Sequence, residues 1–101
     1  MSYEIVVTYT KTADSPADAF KTMPVLKPDA DFTQEQIDAF LAAYPATWDV
    51  RAIQDQLIIH YTFPSKEEAI ARREDPIAKS NTEKQRIWQE ANHLTRTGRE
   101  L

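Results

Sequence analysis

The chain has 101 residues, of which 42% are apolar and ten are aromatic, with 12 basic and 16 acidic side chains and a net charge of −4. This length and composition predict one globular domain and exclude an intrinsically disordered chain. The sequence contains no apolar run near the roughly 20 residues that span a bilayer, and no cysteine for a disulfide or a thiolate nucleophile. We therefore expect a single cytoplasmic domain, residues 1–101, without a membrane anchor or a secretion signal.

Gly98 is the only glycine of the chain. Phosphate-binding loops need several glycines so that backbone amides can approach an anion, so P-loop and dinucleotide-binding domains are excluded. The sequence pI of about 5.1 argues against a nucleic-acid partner. The two histidines, His60 and His93, lie 33 positions apart, which is no metal-binding motif. We therefore predict neither a metal site nor a cofactor.

Residues 3–10 are β-branched and aromatic, and they predict a first strand. Alternation along this strand gives one apolar face and one mixed face. The apolar face comprises Tyr3, Ile5, Val7 and Tyr9. Residues 11–31 follow as an irregular insertion that contains three prolines. Within it, Ser15 and Pro16 predict the start of a short helix, which must end before Pro24.

The following helix has the clearest start in the sequence. Thr33 and Gln36 match a capping box, in which each side chain bonds the backbone amide of the other residue. Phe32 and Ile37 occupy the two positions of a hydrophobic staple around this cap. Pro45 ends the helix, because the residue before a proline disfavours helical geometry.

Residues 48–53 and 57–63 predict two further strands joined by a tight antiparallel turn. In the second of them the apolar face comprises Leu57, Ile59, Tyr61 and Phe63, and the mixed face comprises Ile58, His60 and Thr62. Mixed faces on two strands leave one side of the sheet half apolar. A domain of this size cannot easily expose such a surface to water, so we expect a partner surface there, most simply a second copy.

The last third of the chain predicts helices and a closing strand. Ser65 to Glu68 matches another capping box, Asp75-Pro76 interrupts the helix, and residues 80–83 predict a further helix start. Residues 94–101 are either a short fourth edge strand or a frayed tail, and we prefer the strand, because residues 95–97 disfavour a helix and a β-α-β-β-α unit lacks one strand. The order β-α-β-β-α-β predicts an α+β ferredoxin-like sandwich, with an antiparallel sheet and helices on one face.

Over roughly residues 45–101 the chain resembles the antibiotic-biosynthesis-monooxygenase type of dimeric α/β barrel domain. The resemblance rests on residues 45–50 before the second strand, residues 63–70 after the third, and the Asp75-Pro76 break. It implies a homodimer whose two sheets face each other, with a pocket between the sheet and the helices of each subunit. Some members of that family are cofactor-free oxygenases. No catalytic residue is carried over from the family, because the insertion at 11–31 departs from its pattern.

We therefore expect a small homodimer that binds a small, largely apolar organic molecule, with cofactor-independent oxidation as its chemistry if it is an enzyme. His60 is the candidate proton acceptor, since a neutral imidazole can act as a base; the alternative is an inert, hydrogen-bonded histidine at an interface. Tyr9, Trp48 and Tyr61 are the candidate pocket residues. The alternative for these aromatics is a purely structural place in the core.

A second hypothesis is a non-enzymatic interaction module, such as an accessory or inhibitor protein, or a structural subunit of a larger assembly. In that case the insertion and the C-terminal helix would contact a protein partner. A pocket of roughly 300 Å³ or more, lined by His60 and aromatic residues, favours ligand binding. An exposed apolar patch of Phe20, Met23 and Leu26 favours the interaction module.

Overall fold

The computed structural model describes residues 2–101. Its four strands are β1 (Tyr3–Thr10), β2 (Thr47–Ile53), β3 (Gln56–Phe63) and β4 (Thr95–Glu100). Its three α-helices are α1 (Gln34–Ala43), α2 (Lys66–Glu74) and α3 (Pro76–Ala91), and a short 3-10 helix covers Ala19–Thr22. All four predicted strands are present, including the closing strand at the C-terminal end.

The strands form one antiparallel sheet in the order β2-β3-β1-β4. All three helices lie against the side that carries the apolar faces of β1 and β3, which we call the inner face. The molecule measures 40 × 36 × 18 Å, and its short dimension matches one layer of sheet and one of helix. The predicted α+β class with a ferredoxin-like sandwich is confirmed.

Local signals in the sequence account for three helix starts. The Thr33 hydroxyl accepts from the Gln36 amide and the Gln36 side chain accepts from the Thr33 amide, so the predicted capping box is complete. Ser65 caps α2 through the amide of Glu68. The carboxylate of Asp75 caps α3, accepting from the Ile77 amide at 2.9 Å, and Pro76 occupies the first helical position.

Two predicted helix starts are wrong. The short helix of the insertion begins at Ala19 and is not capped by Ser15, whose hydroxyl accepts from the Thr12 amide and donates to the His93 carbonyl. Residues 80–83 do not start a new helix, because α3 runs through them without a break. The burial of Ile77 and Trp88 at its two ends outweighs the weak helix propensity of the polar residues between them.

The core lies at one end of the inner face, where Trp88 and the insertion meet the sheet. Trp88 packs edge-to-face on Tyr9, with ring centroids 5.0 Å apart, and its indole N–H donates to the Ala19 carbonyl at 3.0 Å. Ala19 has no exposed surface, so the insertion forms part of the core. In contrast, every residue of β2 is exposed. Among the described helices, none has the length and apolar character needed to cross a bilayer.

Candidate ligand-binding groove

A groove of about 590 Å³ separates the open end of the inner face from the helices above it. The sheet residues in its lining are Ile5, Val7, Tyr9, Trp48, Val50, Ile59, Tyr61 and Phe63. The helices contribute Phe40 of α1, Ala69 of α2 and Gln85 of α3, and residues 23–26 of the insertion line one side. The groove is open to solvent, since Trp48 and Val50 on its rim are 51% and 43% exposed.

The structure brings together the three aromatic residues predicted to line a pocket. Tyr9 is buried at the closed end of the groove, Tyr61 is half-buried in its middle, and Trp48 lies on the rim. Tyr61 and Trp48 are register partners on β3 and β2. Tyr61 also stacks on Phe63, with ring planes only 13° apart. These side chains give the groove flat, apolar walls.

His60 does not line this groove, because it lies on the opposite, outer face of the sheet. Its Nε2 atom is 2.8 Å from Oε1 of Glu4, and both side chains are about two-fifths exposed. A second, shallower recess contains His60 together with Val6, Ile58, Ile53 and Leu101. The predicted combination of His60 with the aromatic residues in one pocket is therefore not what the fold produces.

Arg72 of α2 is a groove residue that the sequence analysis did not single out. Its Nη1 donates to the Tyr44 carbonyl at 2.7 Å, and its guanidinium lies over the Phe40 ring at 4.9 Å and the Trp48 ring at 5.9 Å. Burial lowers the pKa of Arg72, and the nearby Tyr61 partly offsets that effect. The spacing of three positions from buried Ala69 was the available signal, because it places both residues on one helix face.

Arg96 of β4 also lines the groove. It is the register partner of Tyr9, so its side chain leaves the sheet on the inner face. Alternation along the strand places residues 96 and 98 on the same face of the sheet. Which face that is depends on the register of β4 with β1.

Tyr61 lines the groove together with both arginines. Burial raises the pKa of Tyr61, and the neighbouring Tyr9 adds to the rise. The guanidinium groups of Arg96 and Arg72 act in the opposite direction, as does the Gln85 side chain. The groove therefore combines an apolar floor with a few polar side chains in its lining, an arrangement typical of small-molecule sites.

Within residues 2–101, no three His, Asp or Glu side chains come together as a metal-binding group. Comparison with known proteins gives no matching family model and no curated protein with significant sequence similarity.

Proposed function

We propose that this protein binds a small, largely apolar organic molecule in the groove between the sheet and the helices. The observation that carries the proposal is the groove itself, whose volume of about 590 Å³ lies within the range of roughly 300–1,000 Å³ of small-molecule sites. Trp48, Tyr61 and Phe63 offer flat apolar surface to a ligand. The resemblance to dimeric α/β barrel domains supports the same location, because their pocket also lies between sheet and helices.

Chemistry by His60 is not part of this proposal. The sheet separates His60 from the groove of its own protomer, so its imidazole cannot reach a molecule bound there. The role of His60 as a proton acceptor stays a prediction. The proposed function is therefore binding, with no reaction assigned.

The insertion favours ligand binding over the interaction module. Phe20, Met23 and Leu26 are half-buried, and Met23 and Leu26 line the groove. An exposed patch of these three side chains was the feature expected of a protein-docking surface. Their position against the groove supports a role in shaping a small-molecule site.

The fluorescent dye N-phenyl-1-naphthylamine, an uncharged aromatic molecule, tests the proposal directly. We expect enhanced fluorescence with wild-type protein, and binding about tenfold weaker or worse in Val50→Trp, whose larger side chain fills the groove rim; tenfold corresponds to about 1.4 kcal/mol. Ile87→Trp is the matched variant, since Ile87 of α3 has similar exposure and lines neither recess. Circular dichroism checks that both variants fold.

The pair of variants also defines the contrary results. No dye binding by wild-type protein, or binding that Ile87→Trp weakens and Val50→Trp does not, contradicts the groove as the binding site.

We also propose that the outer face forms a homodimer. Val6, Ile58, Ile53 and Leu101 present apolar surface there, with Ile53 52% and Leu101 60% exposed. The same face carries charges of both signs, including an Arg51–Asp49 ion pair and the His60–Glu4 contact. Both signs on one surface allow a two-fold-related copy to meet it with opposite charges.

Light scattering coupled to size exclusion tests the dimer. We expect wild-type protein at twice the chain mass of 11.6 kDa, and a shift toward the single mass in Ile53→Lys. Ile87→Lys is the control, because Ile87 is 53% exposed on α3 and lines neither recess. A wild-type protein that elutes as a monomer, or loss of the dimer in both variants, contradicts the proposed interface.

A further inference from the structure

The charged residues around the groove are of one sign. Four of the six arginines of the chain line it, and none of the 16 acidic residues does. The chain as a whole has the opposite balance, with a net charge of −4. A positive recess on an acidic protein is therefore a local feature of the groove and does not follow from overall composition.

Arg86 differs from the other three arginines because it is neutralised within its own helix. Its guanidinium contacts the carboxylates of Glu83 and Glu90, the latter at 2.8 Å. Arg72, Arg73 and Arg96 form no ion pair with a carboxylate anywhere in residues 2–101. The groove therefore holds three cations whose charge no acidic side chain of the described chain offsets.

Arg72 is the best positioned of these cations. Its contacts with the Tyr44 carbonyl and the Phe40 ring hold the guanidinium in place. A guanidinium has five N–H donors, and Arg72 uses one of them in the described structure, so others stay available to a ligand. Half-burial without a counter-ion is unfavourable for a cation, and an anion bound beside it relieves that cost.

Arg96 lines the groove from β4, the edge strand on the side of the sheet opposite β2. Its guanidinium lies beside Gly98, where an added Cβ atom would be 3.8 Å from Nη1. Arg72 lies over the Trp48 ring of β2 at the other edge of the sheet, so cations line the groove from both edges.

We propose that the ligand is an aromatic organic anion, held in the groove by the charges of Arg72 and Arg96, which line it together with Tyr61. Guanidinium groups bind carboxylates and related oxyanions through paired, charge-assisted hydrogen bonds. The aromatic body of the ligand lies along Trp48 and Phe63, which line the same recess. This inference rests on the proposed function, because it names the class of molecule that the groove takes.

Two dyes with one ring system separate the inference from the function on which it rests. 8-Anilinonaphthalene-1-sulfonate is N-phenyl-1-naphthylamine with an added sulfonate. We expect wild-type protein to bind the sulfonate about tenfold more tightly than the uncharged dye. Raising the ionic strength weakens binding of the sulfonate and leaves the uncharged dye almost unaffected.

Arginine variants then show which side chains bind the sulfonate group. Arg96→Gln and Arg72→Gln each weaken sulfonate binding about tenfold and change binding of the uncharged dye less than about twofold. Arg99→Gln is the matched control, since Arg99 is on the same strand as Arg96 and on the outer face. Because Arg72 also contacts α1, Arg96→Gln keeps the test decisive if Arg72→Gln fails to fold.

A second pair of ligands extends the test beyond sulfonates. 1-Naphthoate should displace the bound uncharged dye at about tenfold lower concentration than 1-naphthamide, its neutral analogue. Equal affinity for charged and neutral partners, or equal losses in Arg96→Gln and Arg99→Gln, overturns the inference while the apolar groove stands. Failure of both dyes to bind at the groove overturns the proposed function as well.

Discussion

The two ends of the inner face of the sheet differ in how they are covered. At the closed end, Trp88 of α3 and Ala19 of the insertion pack on Tyr9, and all three are almost fully buried. At the open end, Trp48 and Val50 of β2 are about half exposed. The same sheet and the same helical layer therefore produce a packed core at one end and a ligand-sized recess at the other.

The insertion explains much of this difference. Its 3-10 helix reaches only the closed end, where Trp88 donates to the Ala19 carbonyl and to the Thr22 hydroxyl. In contrast, β2 is exposed along its whole length, and Arg72 of α2 lies over its Trp48 ring at 5.9 Å. Arg72 joins α2 to the end of α1 there through the Tyr44 carbonyl and the Phe40 ring. The packed core and the groove thus lie at different ends of one surface.

The two tryptophans give the strongest test of this comparison. Trp88→Ala should lower the free energy of unfolding by about 3–5 kcal/mol, because it empties a closed site and leaves Ala19 without its donor. Trp48→Ala should cost about 1 kcal/mol or less, since that side chain is half exposed. Urea unfolding followed by circular dichroism measures both values.

Equal losses in the two variants would mean that the open end is as much a part of the core as the closed end. The groove would then not be a permanent recess of the folded protein. A larger loss in Trp48→Ala than in Trp88→Ala would reverse the comparison altogether.

Substitution of Arg72 tests whether the contacts of its side chain with α1 stabilise the open end. Arg72→Met keeps much of the side-chain length but loses the hydrogen bond to Tyr44 and the cation–π contact with Phe40, so we expect a loss of about 1–3 kcal/mol. Arg73→Met is the control, because Arg73 is exposed and should change stability by about 0.5 kcal/mol or less. Thermal and urea unfolding of both variants check this, and equal effects would exclude a specific tie at Arg72.

Thr12 tests the attachment of the insertion at the closed end. Its hydroxyl donates to the His93 carbonyl at 2.7 Å, so Thr12→Val should cost about 1 kcal/mol through the lost hydrogen bond. Thr97→Val makes the same chemical change on an exposed strand position and should be nearly neutral or slightly stabilising, within about 0.5 kcal/mol. Urea unfolding of the pair measures the difference, and a neutral Thr12→Val would show that the insertion needs no anchor there.

The sequence predicts the regular elements well because their signals are local. The capping box at Thr33 and the Asp75-Pro76 break involve residues within four positions of each other, and both are present in the structure. The prediction that Ser15 caps the short helix is wrong because the actual partner of Ser15 is distant in the sequence. Its hydroxyl donates to the carbonyl of His93, 78 positions away, and no local pattern carries that information.

The residues of the candidate site also fall into two groups, those that local patterns place correctly and those that depend on tertiary contacts. Alternation along β1 and β3 is enough to place Tyr9 and Tyr61 on one face and His60 on the other, as the structure has them. The arginines needed more than alternation. Arg72 becomes a groove residue only through the position of α2 over the sheet, and Arg96 only through the register of β4 on β1. Both depend on tertiary contacts, so the sequence shows them only as basic residues among acids.

The smallest effect concerns the surface contact between the insertion and α3, away from the buried closed end. The Lys84 ammonium lowers the pKa of Asp29 from 3.8 to about 2, and the backbone amides of Asp31 and Phe32 add to the effect. Because the pKa is lower in the folded state, this carboxylate stabilises the fold above pH 4 and loses that contribution as the pH falls from about 4 to 2. The stability difference between wild type and Asp29→Asn should therefore shrink over this interval.

Lys84→Gln should reduce the same pH dependence of stability. The double variant of Lys84→Gln and Asp29→Asn should differ little from Asp29→Asn alone. Acid titration of the unfolding free energy measures each curve, and a constant difference between wild type and Asp29→Asn would exclude this contact as a tie between insertion and helix.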